Sequence, residues 1–392
     1  MKTPTAIGIL AAYRTPECMQ ALQVFAEECA AAGISAYEIG PHTREDASLP
    51  APDMLLCFGG DGSMLNAVQE AVRRDIILGG VNLGHLGFLT ACGRDEVAEL
   101  VRALEAGGTK MVLGVGDERL SLIDRVEIPT RTPEETVPQM IQYFREKKVE
   151  AIGIGSFGPL DLRRDSPTYG NITTTPKPGW ANVPLMRLLT EGANVPGEID
   201  TDVNAAALGE SVCGAAKDLN SCLYVTIGTG IGGGLIVEGN LVHGLVHPEL
   251  GHMLLKPDPD DPAPEGFCPF HKGCLEGLAS GPAVEKRWGE NTKTLPDDHP
   301  AWRLESEYLA QMCANAVLCF SPERIVLGGG VMHRTHIFPM IRRRTQALLG
   351  GYVKNEEILT NIDQYIVSPG LGDRSGITGA MILAKRALER TK

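Results

Sequence analysis

Four times along the chain a short apolar run ends on a cluster of glycines. The segments are MLLCFGGDG at 54–62, the stretch closing in EAGGTK at 105–110, LYVTIGTGIGGG at 223–234 and IVLGGGV at 325–331. A strand that delivers the chain into such a turn constrains the fold strongly. Glycines let a ligand approach the backbone, and unpaired N–H groups at a helix start receive phosphate. One such turn is weak evidence, because tight turns use the same residues. A series of them in order points to an α/β chain that clamps a nucleotide.

The segments between the turns alternate strand and helix. Strands are expected over 5–10, 35–39, 54–58 and 76–81, with helices over 17–32 and 63–73, which is the rhythm of a doubly wound α/β layer. From 105 the pattern restarts. Strands are expected over 105–117, 121–130 and 150–156, with a helix over 134–147, and a second set of strands begins at 221. Helix dominates 302–318, and a last helix covers 376–389. The acidic, proline-rich DPDDPAPE at 258–265 reads as a surface loop.

The 392 residues leave room for two or three domains at about 150 residues each. The net charge of -13 argues against a nucleic-acid partner, which needs a basic surface. No apolar run reaches the ~18 residues of a membrane span. The N-terminal apolar stretch meets proline and charge too early for a signal peptide, so no membrane association is expected. Ten cysteines, most of them in apolar runs, read as reduced thiols of a cytoplasmic protein.

One Cys/His cluster stands apart. HPELGH at 247–252 precedes CPFHKGC at 268–274, and the C-x-x-H-x-x-C spacing places Cys268, His271 and Cys274 on one tight loop. With His252 they make four ligands, the set of a closed structural Zn²⁺ site. The alternative is buried thiols among surface histidines. His247 is the spare histidine and is expected to be structural. Asp202, in TDVNAAALGE, stands ahead of a small-residue helix that could pack beside a sugar-sized ligand. It could act as a base or serve only as an N-cap. Arg163 and Arg164 read as solvated charge. In the phosphate turns the candidates are Glu105, Gly107, Gly108, Thr109 and Lys110, then Thr226, Gly228, Thr229 and Gly230, then Gly328, Gly329 and Gly330. The acid and the Thr hydroxyls suit ATP with Mg²⁺.

FGGDGSMLNAV with GVNLGHLGFLT resembles the N-terminal domain of NAD kinases over about residues 1–104. In that family Asp61, flanked by Gly59, Gly60 and Gly62, would be catalytic. The family's second, all-β domain finds no counterpart here, so an incomplete, vestigial NAD kinase site is implied. From Glu105 onward, EAGGTK, GIGSFGPLD, TPKPGW, TDVNAAALGE, TIGTGIGGG, HPELGH, CPFHKGC, LEGLASGPA and LGGGV together resemble the ROK family, and its bacterial fructokinases most. The resemblance implies a two-lobed actin-like (ribonuclease H-like) sugar kinase fold behind the doubly wound layer. Its boundaries would be 1–104, 105–220 and 221–392, with the last helix able to return to the first lobe. Asp202 becomes the general base, while Asn204, Glu249, His252 and Glu276 serve the sugar. ATP, a hexose, Mg²⁺, structural zinc and a homodimer are implied as well. Glu105 and the Thr201-Asp202 pair belong to the fructokinase branch and favour fructose.

The two resemblances compete for 101–104. EVAELVRAL has helical spacing, with Val97, Leu100, Val101 and Leu104 on one face, whereas the kinase half needs a strand before EAGGTK. The strand is expected to prevail and the helix to stop near residue 100, at the seam of a truncated domain fused to an intact one. Two other functions fit parts of the chain. One is NAD kinase activity from the GGDG domain. The other is a sugar-binding, non-catalytic ROK-type regulator, which would need a helix-turn-helix where the α/β layer stands.

Overall fold

The computed structural model describes residues 6–11, 16–31, 33–39, 52–59, 77–82, 92–93, 110–175, 177 and 179–391. Two compact units divide the chain: Met1–Met111 with Glu127–Thr132, and Val112–Val126 with Pro133–Lys392. Among the described residues no helix is long and apolar enough to cross a membrane.

The first unit is built on a parallel sheet. Its strands are β1 (Ala6–Ala11), β2 (Ser35–Glu38), β3 (Met54–Gly59), β4 (Ile77–Asn82) and β5 (Cys92–Gly93), in the order β2-β1-β3-β4-β5. β3 is a continuous apolar run with Leu55, Leu56 and Cys57 fully buried, as a strand covered on both faces requires. Helix α1 (Pro16–Ala31) opens on proline, whose missing N–H is not needed there. The chain leaves it through Gly33 at φ +71°. Sheet order reverses between β1 and β3, the place where open α/β sheets hold ligands. Gly59 ends β3 at that point. Gly60, Asp61, Gly62 and the helix expected over 63–73 lie outside the described residues.

Next along the chain, β6 (Lys110–Gly116) and β7 (Leu122–Pro129) pair as a hairpin. Asp117 Oδ1 closes its turn by accepting the N–H groups of Arg119 and Ser121. Helix α2 (Pro133–Lys147) has Glu134 and Glu135 in its first turn and Arg145 and Lys147 in its last, matching its dipole. β8 (Ile152–Ser156), α3 (Leu185–Ala193) and β9 (Gly197–Thr201) follow, and β8 and β9 pair in parallel. Helix α4 (Asp202–Cys213) starts directly where β9 ends. The expected strand over 101–104 and the helix stop near 100 lie outside the described residues.

A second sheet follows, in the order β12-β11-β10-β13-β14, from β10 (Cys222–Ile227), β11 (Ile231–Val237), β12 (Asn240–Leu241), β13 (Ile325–Gly328) and β14 (Ile366–Val367). Short helices α5 (Leu275–Ala279) and α6 (Gly281–Trp288) lead to the long α7 (Pro300–Phe320). Its buried face, including Trp302, Tyr308 and Leu309, joins Val225, Leu327 and Ile366 in the main core. Helices α8 (Phe338–Leu349), α9 (Glu356–Leu359) and α10 (Ile362–Tyr365) precede the C-terminal α11 (Ser375–Glu389). DPDDPAPE is irregular but anchored. Asp261 is buried and accepts from Arg287 Nε at 2.8 Å and from the Tyr308 hydroxyl at 2.5 Å.

Small residues on α4 serve its contact with α11. A Cβ on Gly379 would stand 1.6 Å from the Ala205 carbonyl oxygen, and one on Gly209 would stand 2.3 Å from that of Ser375. α11 also covers β8, where a Cβ on Gly153 would meet the Ala380 carbonyl oxygen. The fully buried Glu210 joins the helix ends. It accepts N–H groups from Ala215, Gly370 and Leu371 and the Ser375 hydroxyl at 2.6–3.0 Å. Gly379→Ala is therefore expected to destabilise the protein by about 3 kcal/mol. Gly376→Ala, on the same helix with open space around it, should be neutral or slightly stabilising. Urea unfolding of both variants checks the contrast, and equal effects would reject the close crossing.

Candidate active site

The site begins at the junction of β9 and α4. Thr201 is the N-cap of α4, its hydroxyl accepting the Asn204 N–H at 3.1 Å. Capping is thus done by Thr201, and Asp202 is the first residue inside the helix. Asp202 Oδ1 accepts only the neighbouring Val203 N–H, at 2.8 Å, among the described side-chain hydrogen bonds. The residue is solvent-accessible. Desolvation holds its pKa above the ordinary carboxylate value. Glu249 pushes in the same direction, while the Val203 N–H opposes it.

β9 carries further polar groups that the sequence reading did not single out. Asp200 is buried and binds Asn204 Nδ2 at 2.7 Å, its own neighbour's Thr201 N–H at 2.8 Å and His243 Nε2 at 2.9 Å. Asn204, 1% exposed, thus braces this junction from beneath. Glu198 is also buried and pairs with Arg164 at 2.8 Å and Arg390 at 2.7 Å. Arg163 pairs with buried Asp161 at 3.0 Å. Arg163 and Arg164 are consequently partners of buried carboxylates and more than solvated charge. The signal was present in GEIDTD: alternate acids on a strand share a face.

Two of the glycine turns meet. β10 and β13 are parallel neighbours with Thr226 opposite Gly328, so 226–230 and 328–330 leave the sheet side by side. Gly329, at φ +91°, lies so close to Ile227 that a Cβ would come within 2.4 Å of its carbonyl oxygen. Gly228 N–H bonds Gly230 O, and its carbonyl accepts the Gly281 N–H at the start of α6. Thr229 and Gly330 are exposed. Glu276 Oε2 accepts the Ile231 N–H at 2.9 Å, which ties α5 to this turn. Glu105, Gly107, Gly108 and Thr109 lie outside the described residues. Lys110 is exposed and pairs with Glu127 at 2.9 Å.

The Cys/His cluster assembles as its spacing suggests. Ligand atoms of His252, Cys268, His271 and Cys274 all lie within 4.8 Å of one another. His252 Nδ1 stands 3.8 Å from each thiol sulfur, and Cys268 Sγ stands 3.7 Å from His271 Nδ1. A tetrahedron with Zn–S and Zn–N bonds of about 2.3 and 2.0 Å has S···N edges of roughly 3.6 Å, so the donors fit zinc and leave no open position. Cys274 also caps α5, its sulfur accepting the Gly277 N–H. His252 closes the short 3-10 turn Leu250–His252 that Glu249 precedes. A cavity of about 330 Å³ lies behind this turn, lined by Leu223, Leu235 and Phe320. Asp202 does not line it.

A hairpin and parallel strands around a central β10, with glycine turns at the strand ends, make an actin-like fold. Residues 101–387 match the ROK family, and residues 42–109 match the ATP-NAD kinase N-terminal domain. The chain belongs to the ROK family. A fructokinase of Pediococcus pentosaceus is 48% identical over 290 residues, 74% of this chain and 99% of that protein. A glucokinase of Halalkalibacterium halodurans is 28% identical over 271 residues, 58% of this chain and 79% of that protein. The crystal structure of a ROK hexokinase from Thermus thermophilus matches with a TM-score of 0.60 at 31% identity, covering 72% of this chain and 97% of that one.

Zinc at the four donors would make one metal per chain and contribute to folding free energy. Elemental analysis of the purified protein should find one zinc per chain. Cys268→Ser together with Cys274→Ser should abolish it and lower the melting temperature by several degrees. Metal content unchanged in that variant would remove the assignment.

Proposed function

We propose that the chain transfers the terminal phosphoryl group of ATP to D-fructose, forming D-fructose 6-phosphate. The observation that carries this reading is Asp202 at the start of α4, its carboxylate left out of the cap that the Thr201 hydroxyl makes. Likeness to a fructokinase at 48% against a glucokinase at 28% supports fructose over glucose.

ATP enters as its Mg²⁺ complex, with the phosphates against 226–230 and 328–330 and with Glu105, Gly107, Gly108, Thr109 and Lys110 as further phosphate-turn groups. Metal charge on the phosphates supplies electrostatic stabilisation. Asp202 accepts the proton of the attacking sugar hydroxyl. Glu249, His252 and Glu276 hold other hydroxyls, and Asn204 braces the site. Zinc, on His252, Cys268, His271 and Cys274, has a structural role: it fixes the chain segments that bear Glu249 and Glu276. Alignment and exclusion of water do the rest. In this reading 105–220 and 221–392 are the two lobes of the kinase, and 1–104 is an appendage with a vestigial Asp61 site.

Purified protein offered D-fructose, D-glucose, D-mannose and NAD with ATP should turn over fructose. Asp202→Ala should lower kcat by about 10²–10⁴, and Asp61→Ala should leave fructose turnover intact. NAD phosphorylation that depends on Asp61 would overturn the reading.

The pH profile gives an independent check. A base must be unprotonated, so kcat/KM falls as pH drops through the pKa of Asp202, which desolvation raises. The acid limb should therefore lie above the ordinary value of 3.8. A limb at or below that value would remove Asp202 from the role.

A further inference from the structure

His247 stands between two loops that the proposed sugar site brings together. Its side chain is buried, 6% exposed, although it belongs to an irregular segment whose neighbours Leu245 and Val246 are 90% and 61% exposed. The Leu160 N–H donates to His247 Nε2 at 3.3 Å across 87 residues of sequence. On the other side of the ring, His247 Nδ1 lies 3.4 Å from Glu249 Oε1. A ring nitrogen that accepts a peptide N–H carries no proton, so a neutral imidazole must bear its hydrogen on Nδ1. The half-exposed carboxylate of Glu249 is the acidic group nearest that hydrogen among the described contacts. The loop after β8 closes around the ring as well. A Cβ on Gly158 would stand 3.2 Å from Nε2 and 3.3 Å from Cε1.

We propose that His247 is a positioning residue: its imidazole, fixed as the Nδ1–H tautomer by Leu160, aims the Glu249 carboxylate at the sugar beside Asp202. The inference rests on the reading of Glu249 as a sugar ligand. Burial of the ring gives the orientation its rigidity, while exposure of Glu249 leaves one carboxylate oxygen for the substrate. The Leu160 hydrogen bond and the Glu249 approach are both long, as is common before a ligand tightens a site. His247 touches neither substrate nor ATP, so its loss should fall on sugar binding alone.

The two ring nitrogens can be tested separately. His247→Gln keeps an acceptor at the ε position for Leu160 but has no donor at the δ position. His247→Asn keeps a δ donor for Glu249 and has nothing at ε. Dissociation constants for D-fructose and for ATP, by calorimetry on the full chain, are compared with melting temperatures for both variants, His247→Ala and Glu249→Gln. Expected is a loss of fructose affinity of about tenfold in His247→Gln, unchanged ATP affinity and an unchanged melting temperature. His247→Asn should recover most of the fructose affinity relative to His247→Ala while melting lower than wild type.

Fructose affinity retained in His247→Gln, while Glu249→Gln loses it, would overturn the positioning role and leave the sugar-site reading standing. Affinity retained in Glu249→Gln would overturn both. Equal losses for fructose and ATP in His247→Gln would mark a merely structural histidine. Gly158→Ala, which crowds the ring without altering Glu249, serves if the His247 variants do not fold. It should weaken fructose and spare ATP, and no change in fructose affinity would count against the proposal.

Discussion

The backbone contact between α4 and α11 at Ala205 and Gly379 sets the position of Asp202. Helices packed through ordinary side chains lie about 8–10 Å apart, with side-chain repacking available to absorb error. Here the absent Cβ of Gly379 lets α11 meet the carbonyl of Ala205 directly, three residues into α4. The other end of the contact is tied by Glu210, whose carboxylate collects three N–H groups and a hydroxyl. A buried charge with so many donors is hard to move, since any displacement leaves it unsatisfied. α4 is therefore fixed along its length, and its first residue inherits that precision.

Much of this was legible because local and global demands agree. β3, β10 and β13 are apolar runs that stop at glycine, and β3 covers Met54–Gly59 where 54–58 was expected. Asp202 is a different case. Thr201 and Asp202 are both good N-caps, and nothing in TDVN chooses between them. The choice is made by where β9 ends, which follows from its parallel register with β8, Ser156 opposite Thr201. The small residues of α4 were read as room for a sugar, whereas they make room for α11, about 175 residues later in the chain. DPDDPAPE likewise has the composition of a surface loop. Asp261 is buried because Arg287 and Tyr308, far along the chain, receive it. Composition cannot show such partners.

The match to the ROK family starts at 101 and the match to the NAD kinase domain ends at 109, so nine residues answer to both. The second half of the kinase places β10 between a hairpin neighbour, β11, and a parallel neighbour, β13. The first half contains the corresponding hairpin β6–β7 and parallel pair β8–β9. A sheet of the same order would draw its central strand from the chain ahead of β6. The first unit makes no such demand: its described sheet is ordered without any residue beyond Gly93. Helical spacing in 96–104 thus competes with a topological requirement, over residues that lie outside the described ones.

The Cys/His cluster would work on the same principle as the helix contact if it held an ion, with coordination bonds in place of close packing. His252 lies three residues after Glu249, and Cys274 lies two residues before Glu276. One ion on both ligands would hold the two acids in a common frame although 27 residues separate them in sequence. Each acid has a second tether that zinc does not supply: Glu249 the imidazole of His247, Glu276 the N–H of Ile231. The second tether of Glu249 leads through His247 to Leu160, and that of Glu276 leads to the glycine turn after β10. A ligand that moved either partner would move the carboxylate bound to it.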